Sequence, residues 1–117
     1  MAKTVLIVDD SRVARMILKK LISESASDWT IEEVGGAAEA LTYFEEKTAD
    51  AAILDFHMPG IDGLELAGIL RSSNSDLPMI MLTANIQKEI EERAAELGVG
   101  FLTKPVDKDK LVAFLNG

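Results

Sequence analysis

Short, unbroken apolar runs alternate with amphipathic stretches along this chain, and that alternation constrains its fold more than any other feature. Val5 to Val8, Ala51 to Leu54, Met79 to Leu82 and Val99 to Leu102 are each about the length of a strand. A strand with one wet face alternates apolar and polar residues. A run with no polar member needs cover on both faces, as in a parallel sheet flanked by helices. Trp29 to Val34 is more mixed, carries Glu32 and Glu33, and suits a sheet edge. Between the runs the apolar period becomes helical. From Arg12 to Ser23 it places Val13, Met16, Ile17 and Leu21 in one stripe, with Ser11 ahead of them as an N-cap. Shorter stripes occur at Leu41 and Phe44, at Leu66, Ile69 and Leu70, at Ile86, Ile90 and Leu97, and at Leu111, Val112 and Leu115. Strand followed by helix, five times over, predicts right-handed βαβ units wound into one α/β parallel sheet. Gly35–Gly36, Pro59–Gly60 and Asp62–Gly63 are the turn signals between elements.

With 117 residues, 48% of them apolar, the chain has material for one core, so residues 1–117 are expected to form a single domain. Twelve basic against 20 acidic residues give a formal charge of −8, which repels a phosphate backbone and argues against direct nucleic-acid binding. Without cysteine there is neither a disulfide framework nor a thiolate zinc site. No apolar run approaches the roughly 18 residues of a membrane span. The first run meets Asp9 and Asp10 too early for a signal peptide, so the cytoplasm is the expected compartment and no membrane partner is expected.

Open α/β sheets bind ligands beyond the carboxyl ends of their strands, where the winding reverses. Here the first run ends in Asp9–Asp10, the third in Asp55, the fourth in Thr83 and the fifth in Thr103–Lys104. Parallel strands bring all of these to one edge. Clustered carboxylates repel one another unless a cation compensates. Oxygen donors without thiols favour a hard ion that keeps its waters, Mg²⁺ or Mn²⁺ rather than zinc. Lys104 and the Thr83 hydroxyl could then hold phosphoryl oxygens, and phosphoryl transfer needs mainly such positioning and charge stabilisation. Taken singly, these residues read as caps, strand ends or surface side chains; only their conjunction carries chemistry. The lone histidine, His57, reads as a solvent-facing loop residue, and Met58, Met79 and Met81 as core. Glu89 and Arg93 are spaced for an i,i+4 pair. Arg12, Arg15 and Lys19 form a basic strip on the first helix, suited to docking a phosphodonor.

The motifs Val-Leu-Ile-Val-Asp9-Asp10-Ser11, Ile-Leu-Asp55-Phe-His-Met58-Pro59-Gly60-Ile-Asp62-Gly63, Leu-Thr83-Ala84 and Phe101-Leu-Thr-Lys104-Pro105 stand in this order over nearly the whole chain. In them the chain resembles the receiver domain of bacterial two-component response regulators, especially the single-domain chemotaxis type. The resemblance implies a flavodoxin-like, doubly wound five-stranded sheet of order 2-1-3-4-5 with five helices. It implies a phosphorylation-dependent signalling switch that catalyses only its own phosphorylation and dephosphorylation. Asp55 is then the phosphoacceptor, aided by Lys104 and Thr83. Mg²⁺ is held by Asp10, Asp55 and the His57 backbone carbonyl, with Asp9 acting through water. The Lys104–Pro105 bond is expected to be cis, and Thr83 and Phe101 form a switch pair. That pair reshapes the surface of the fourth helix, fifth strand and fifth helix for a downstream protein target. The phosphodonor is a histidine kinase or a histidine phosphotransfer domain. His57 and Asn85 flank the phosphoryl group and tune its lifetime. Two departures stand out: His57 where many relatives have Asn, and Val106 where the chemotaxis type commonly has Phe.

A second reading is a Mg²⁺-dependent phosphohydrolase of the haloacid-dehalogenase type, which also forms an aspartyl phosphate. Its Asp-x-Asp signature is replaced here by adjacent aspartates, and 117 residues leave little room for its usual cap insertion. A P-loop nucleotide switch is excluded by the lack of Gly-x-x-x-x-Gly-Lys-Ser/Thr.

Overall fold

A computed structural model of the chain describes residues 3–85 and 87–117. Five strands and five helices alternate: β1 (Lys3–Val8), α1 (Arg12–Ser25), β2 (Trp29–Val34), α2 (Ala37–Glu46), β3 (Ala51–Asp55), α3 (Gly63–Ser73), β4 (Met79–Thr83), α4 (Lys88–Glu96), β5 (Val99–Thr103) and α5 (Lys108–Leu115). All strand pairs are parallel, in the order β2-β1-β3-β4-β5. This is the flavodoxin-like arrangement that the sequence resemblance implies.

Successive residues of a strand point to opposite faces, and each face of this sheet is covered. Leu6, Val8, Ala52, Leu54, Met79 and Met81 pack beneath α2, α3 and α4, against Ala40, Leu66, Leu70 and Ala94. Val5, Ile7, Ala51, Ile53, Ile80 and Leu82 pack on the other side against Leu18 and Ile22 of α1 and Leu111 and Leu115 of α5. Two buried faces explain why the central strands are apolar without interruption. β2, with a neighbour on one side only, keeps every residue at least partly exposed, which accommodates Glu32 and Glu33. Met58, Met79 and Met81 are core residues, as expected.

The side chains of Ser11, Asp62 and Asp107 cap α1, α3 and α5 by accepting from backbone N–H groups of the first turn. α1 differs from its expected orientation. Val13, Met16 and Ile17 are 65%, 59% and 59% exposed, Leu21 is half-buried, and the buried residues are Leu18 and Ile22. Apolar and small residues cover two neighbouring arcs of this helix, 13-16-17-21 and 14-18-22, so periodicity alone cannot select the one that faces the sheet. In α3, Leu66 and Leu70 are buried while Ile69 is exposed. Leu41, Phe44, Ile90 and Leu97 are half-buried against the core, and Ile86 lies outside the described residues. On α4 the ion pair within reach is Lys88–Glu92, at 4.0 Å, in place of the expected Glu89–Arg93. Among the described residues, no helix is long and apolar enough to cross a membrane.

Candidate functional site

The winding reverses between β1 and β3, which lie side by side, and their carboxyl ends open onto the same edge. β1 ends at Val8, so Asp9 and Asp10 emerge there; Asp55 is the last residue of β3. Each of Asp9, Asp10 and Asp55 offers a carboxylate oxygen within 4.8 Å of the others. Asp9 and Asp55 are almost wholly buried, whereas Asp10 is exposed. From the end of β5, Lys104 reaches across β4: its Nζ donates to Asp55 Oδ1 at 2.9 Å and lies 3.7 Å from Asp9 Oδ2. The sequence reading placed these four residues together, and the fold does so.

Local bonds hold the aspartates in place. Asp9 Oδ1 accepts from the Ser11 N–H at 2.8 Å, while Asp9 N donates to Val34 O. Asp9 Oδ2 is buried without a hydrogen-bond donor. The Lys104 ammonium, 3.7 Å away, offsets part of its charge but is beyond hydrogen-bond distance, and a buried carboxylate oxygen without a direct partner is costly. Together with two further carboxylates in reach and no nitrogen or sulfur ligand in the cluster among the described residues, this fits a hydrated hard cation of the Mg²⁺ type. Burial pushes the Asp55 carboxyl above its ordinary value of 3.8; the Lys104 hydrogen bond opposes this, and repulsion from Asp9 and Asp10 adds to it. Burial alone would lower Lys104, but the hydrogen bond and charge of Asp55, followed by Asp9, outweigh it and raise the ammonium above its ordinary 10.5. Lys104 is therefore a fixed cation at neutral pH.

Thr83 ends β4, one residue beyond Leu82, the β4 partner of Asp55. Its side chain is buried and occupied locally: the hydroxyl donates to Asn85 O at 3.1 Å and accepts from Asn85 N at 3.3 Å. Lys104 N donates to Thr83 O, and the following Lys104–Pro105 peptide is cis, as expected. Phe101 is half-buried on β5 beside the cluster under α4, and Asn85 is exposed in the loop after β4. His57 is also exposed and stands edge-on to Phe56 with ring centroids 4.8 Å apart.

Two members of the basic strip on α1 are paired within the domain. Arg15 Nε pairs with Glu33 Oε1 at 2.8 Å and Lys19 Nζ with Glu33 Oε2 at 2.6 Å; Arg12 and Lys19 are exposed, and Arg15 is half-buried. Helical spacing could not reveal Glu33, which comes from β2 across the helix–sheet interface. Two further contributions escaped sequence reasoning. The Arg15 guanidinium donates to Asp9 O at 2.6 Å. Gly63 has no room for a side chain, because a Cβ there would overlap the Asp55 carbonyl oxygen and lie 2.9 Å from Phe56 Cα. The Asp62–Gly63 signal was legible as a turn, but not as a close approach to Asp55.

The doubly wound sheet thus carries three carboxylates and a lysine at its switch point, the place where open α/β sheets bind ligands. The sequence profile of the response regulator receiver domain matches residues 5–116, and the chain belongs to that family. It is 38% identical over 112 residues to the cyclic di-GMP phosphodiesterase response regulator RpfG of Xanthomonas campestris pv. campestris, covering 93% of this chain and 30% of that protein. It is 38% identical over 116 residues to the response regulator MprA of Mycobacterium ulcerans, covering 97% of this chain and 48% of that one. The chain thus spans half or less of the length of these curated relatives. Among solved structures, the chemotaxis protein CheY4 of Vibrio cholerae superposes with a TM-score of 0.87 at 27% identity, over 99% of this chain and 98% of that one. The chain is a receiver domain of the two-component type, which places it in phosphorylation-dependent signalling; the haloacid-dehalogenase alternative finds no support.

Proposed function

We propose that residues 1–117 act as one receiver domain that takes a phosphoryl group onto Asp55 from the phosphohistidine of a histidine kinase or phosphotransfer domain. The observation that carries this reading is the buried Asp55 carboxylate, bonded by Lys104 at 2.9 Å and within 4.8 Å of the Asp9 and Asp10 oxygens. An Asp55 oxygen attacks phosphorus, the bond from phosphorus to the donor imidazole nitrogen breaks, and the imidazole leaves with its electron pair. Asp9, Asp10, Asp55 and the His57 backbone carbonyl would hold Mg²⁺, or Mn²⁺ in its place, which when bound neutralises charge on the phosphoryl oxygens. Lys104 keeps its own positive charge against the remaining oxygen. The domain catalyses this reaction on itself and acts on no other substrate.

Phosphorylation adds an acceptor for the Thr83 hydroxyl, which would exchange its local bonds to Asn85 for one to the phosphoryl group. Phe101 then turns into the space released, and the α4–β5–α5 surface presents a new face to a protein target. The donor docks on α1, where exposed Ile17 lines, with Leu21, Pro105 and Val106, a hollow of about 200 Å³ to which Asp9 and Lys104 also contribute. His57 and Asn85 flank the path of a water attacking the phosphoryl group, so His57→Asn should change the decay rate several-fold and leave Mg²⁺ affinity unchanged. Incubation with acetyl phosphate and Mg²⁺, followed by intact-mass analysis and peptide mapping, tests the central claim. A Mg²⁺-dependent phosphoryl adduct on Asp55, absent from a folded Asp55→Asn variant, is expected. An adduct elsewhere, or equal labelling of the variant, would overturn it.

A further inference from the structure

We propose that Arg15 is a positioning residue for the metal-binding aspartates: it fixes the Asp9–Asp10 peptide so that the Asp10 carboxylate faces Asp55 before any metal arrives. The inference rests on the metal reading above but concerns a residue outside the carboxylate cluster. Arg15 lies on the first turn and a half of α1, its side chain is 17% exposed, and its planar fork is used in two directions. Nε bonds Glu33 on β2, and Nη1 bonds the Asp9 carbonyl oxygen at 2.6 Å. That oxygen belongs to the peptide unit that ends at Asp10 Cα, and a peptide unit is planar. Holding its oxygen fixes the plane from which the Asp10 side chain departs.

The need for such a hold follows from where the strand stops. The β1–β2 ladder has its last rung at Val8↔Val34, and that of β1–β3 at Val8↔Leu54. Beyond them Asp9 N is tied to Val34 O, and its carboxylate to the Ser11 N–H. The carbonyl side of Asp9 is tied by Arg15. Glu33 in turn orients the guanidinium, and the second carboxylate oxygen of Glu33 is occupied by Lys19 at 2.6 Å. If pinning α1 to the β2 edge were the whole purpose, Lys19 would already serve it. The bond to Asp9 is what Lys19 does not supply.

Charge and position act in opposite directions at this site, which makes the idea testable by sign. Removing a cation near a divalent-ion site should tighten Mg²⁺ binding on electrostatic grounds. Removing a residue that orients a ligand should weaken it, on the order of tenfold for supporting contacts around metal sites. Mg²⁺ is titrated by calorimetry into the wild-type domain and into Arg15→Met, Arg15→Lys and Lys19→Met. The Asp10 amide is followed in the metal-free proteins by ¹⁵N NMR. We expect Kd to rise about tenfold in Arg15→Met and to rise also in Arg15→Lys, which keeps the charge but loses the fork. In Lys19→Met it should not rise. The metal-free Asp10 amide resonance should move in both Arg15 variants, and acetyl phosphate labelling of those variants should recover at saturating Mg²⁺. Unchanged or tighter binding in Arg15→Met, or in Arg15→Lys should the former fail to fold, would overturn the positioning role. If the wild type itself binds no Mg²⁺, the metal reading falls, and the wild-type arm alone reports that failure.

Discussion

Gly63 is the residue through which the backbone, rather than a charged side chain, controls the site. Its N–H bonds Phe56 O at 3.0 Å, which draws the start of α3 onto the end of β3, and the contact is so close that a methyl group there would collide with the Asp55 backbone. Neither the Asp55 carbonyl nor Phe56 Cα is the free end of a flexible side chain, so Gly63→Ala must shift main chain. We expect a loss of about 1–3 kcal/mol by chemical denaturation, together with slower acetyl phosphate labelling of Asp55. Wild-type stability with wild-type labelling would show that the loop yields freely. Asp9, Asp10, Asp55, Thr83 and Lys104 were legible in the sequence because each lies within two residues of the end of an apolar run, and parallel strands bring such ends together. Gly63 and Arg15 were not legible in those roles. A turn glycine looks the same whether or not a strand end lies against it, and an arginine at helical spacing looks like surface until β2 supplies Glu33.

Two arginine-centred contacts fix how the helices sit on the sheet. Arg71, near the end of α3, donates to five backbone carbonyls: Asn74, Ser75 and Leu77 on the way into β4, and Leu97 and Gly98 at the turn between α4 and β5. Its guanidinium thus meets the carbonyl-rich ends of two helices, where a cation is favoured. Arg71→Ala leaves these carbonyls without their donor and should cost about 2–3 kcal/mol. Arg71→Lys should regain less than half of that loss, because an ammonium cannot span the same set; full recovery would mean that charge alone matters. The other contact joins Glu33 to Lys19 and Arg15. Their hydrogen bonds hold the Glu33 carboxyl below its ordinary value of 4.5. A carboxyl depressed in the folded state stabilises the fold above its unfolded value, and the contribution is lost as pH falls through the folded one. The stability difference between wild type and Glu33→Gln should therefore be greatest near neutrality, at most about 1 kcal/mol for a pair so accessible, and close below pH 4.5. A gap independent of pH would assign it to packing. The sequence revealed all five helices as elements. The face that α1 turns inward was hidden, since Val13, Met16 and Ile17 are as apolar as Leu18 and Ile22, and what distinguishes them is where the sheet lies.

Across the whole molecule, a formal charge of −8 is superimposed on a local excess at one sheet edge, where the carboxylates of Asp9, Asp10 and Asp55 cluster beside the Lys104 ammonium. Two of those carboxylates are almost fully buried, so salt screens their repulsion less well than it screens the surface charge. The fold itself is held by the apolar layers on either side of the sheet, which tolerate this repulsion without relieving it. The metal-free domain should accordingly be least stable at low ionic strength. Sodium chloride should recover the surface part of the loss, and Mg²⁺ at equal ionic strength should recover more. At a Mg²⁺ concentration a hundred times Kd, mass action gives about 2.7 kcal/mol, which for a domain of this size raises Tm by roughly ten degrees. Asp10→Asn should act on both sides of this balance. It removes one of the repelling charges and so raises the metal-free Tm, and it removes a ligand and so abolishes most of the further rise with Mg²⁺. Thermal melts of wild type and Asp10→Asn, in buffer, in NaCl and in MgCl₂ at matched ionic strength, measure all of these effects. A wild-type Tm that responds alike to the two salts would place the carboxylate cluster outside divalent-cation binding, and an Asp10→Asn Tm below wild type without metal would show that Asp10 makes a stabilising contact that outweighs the repulsion.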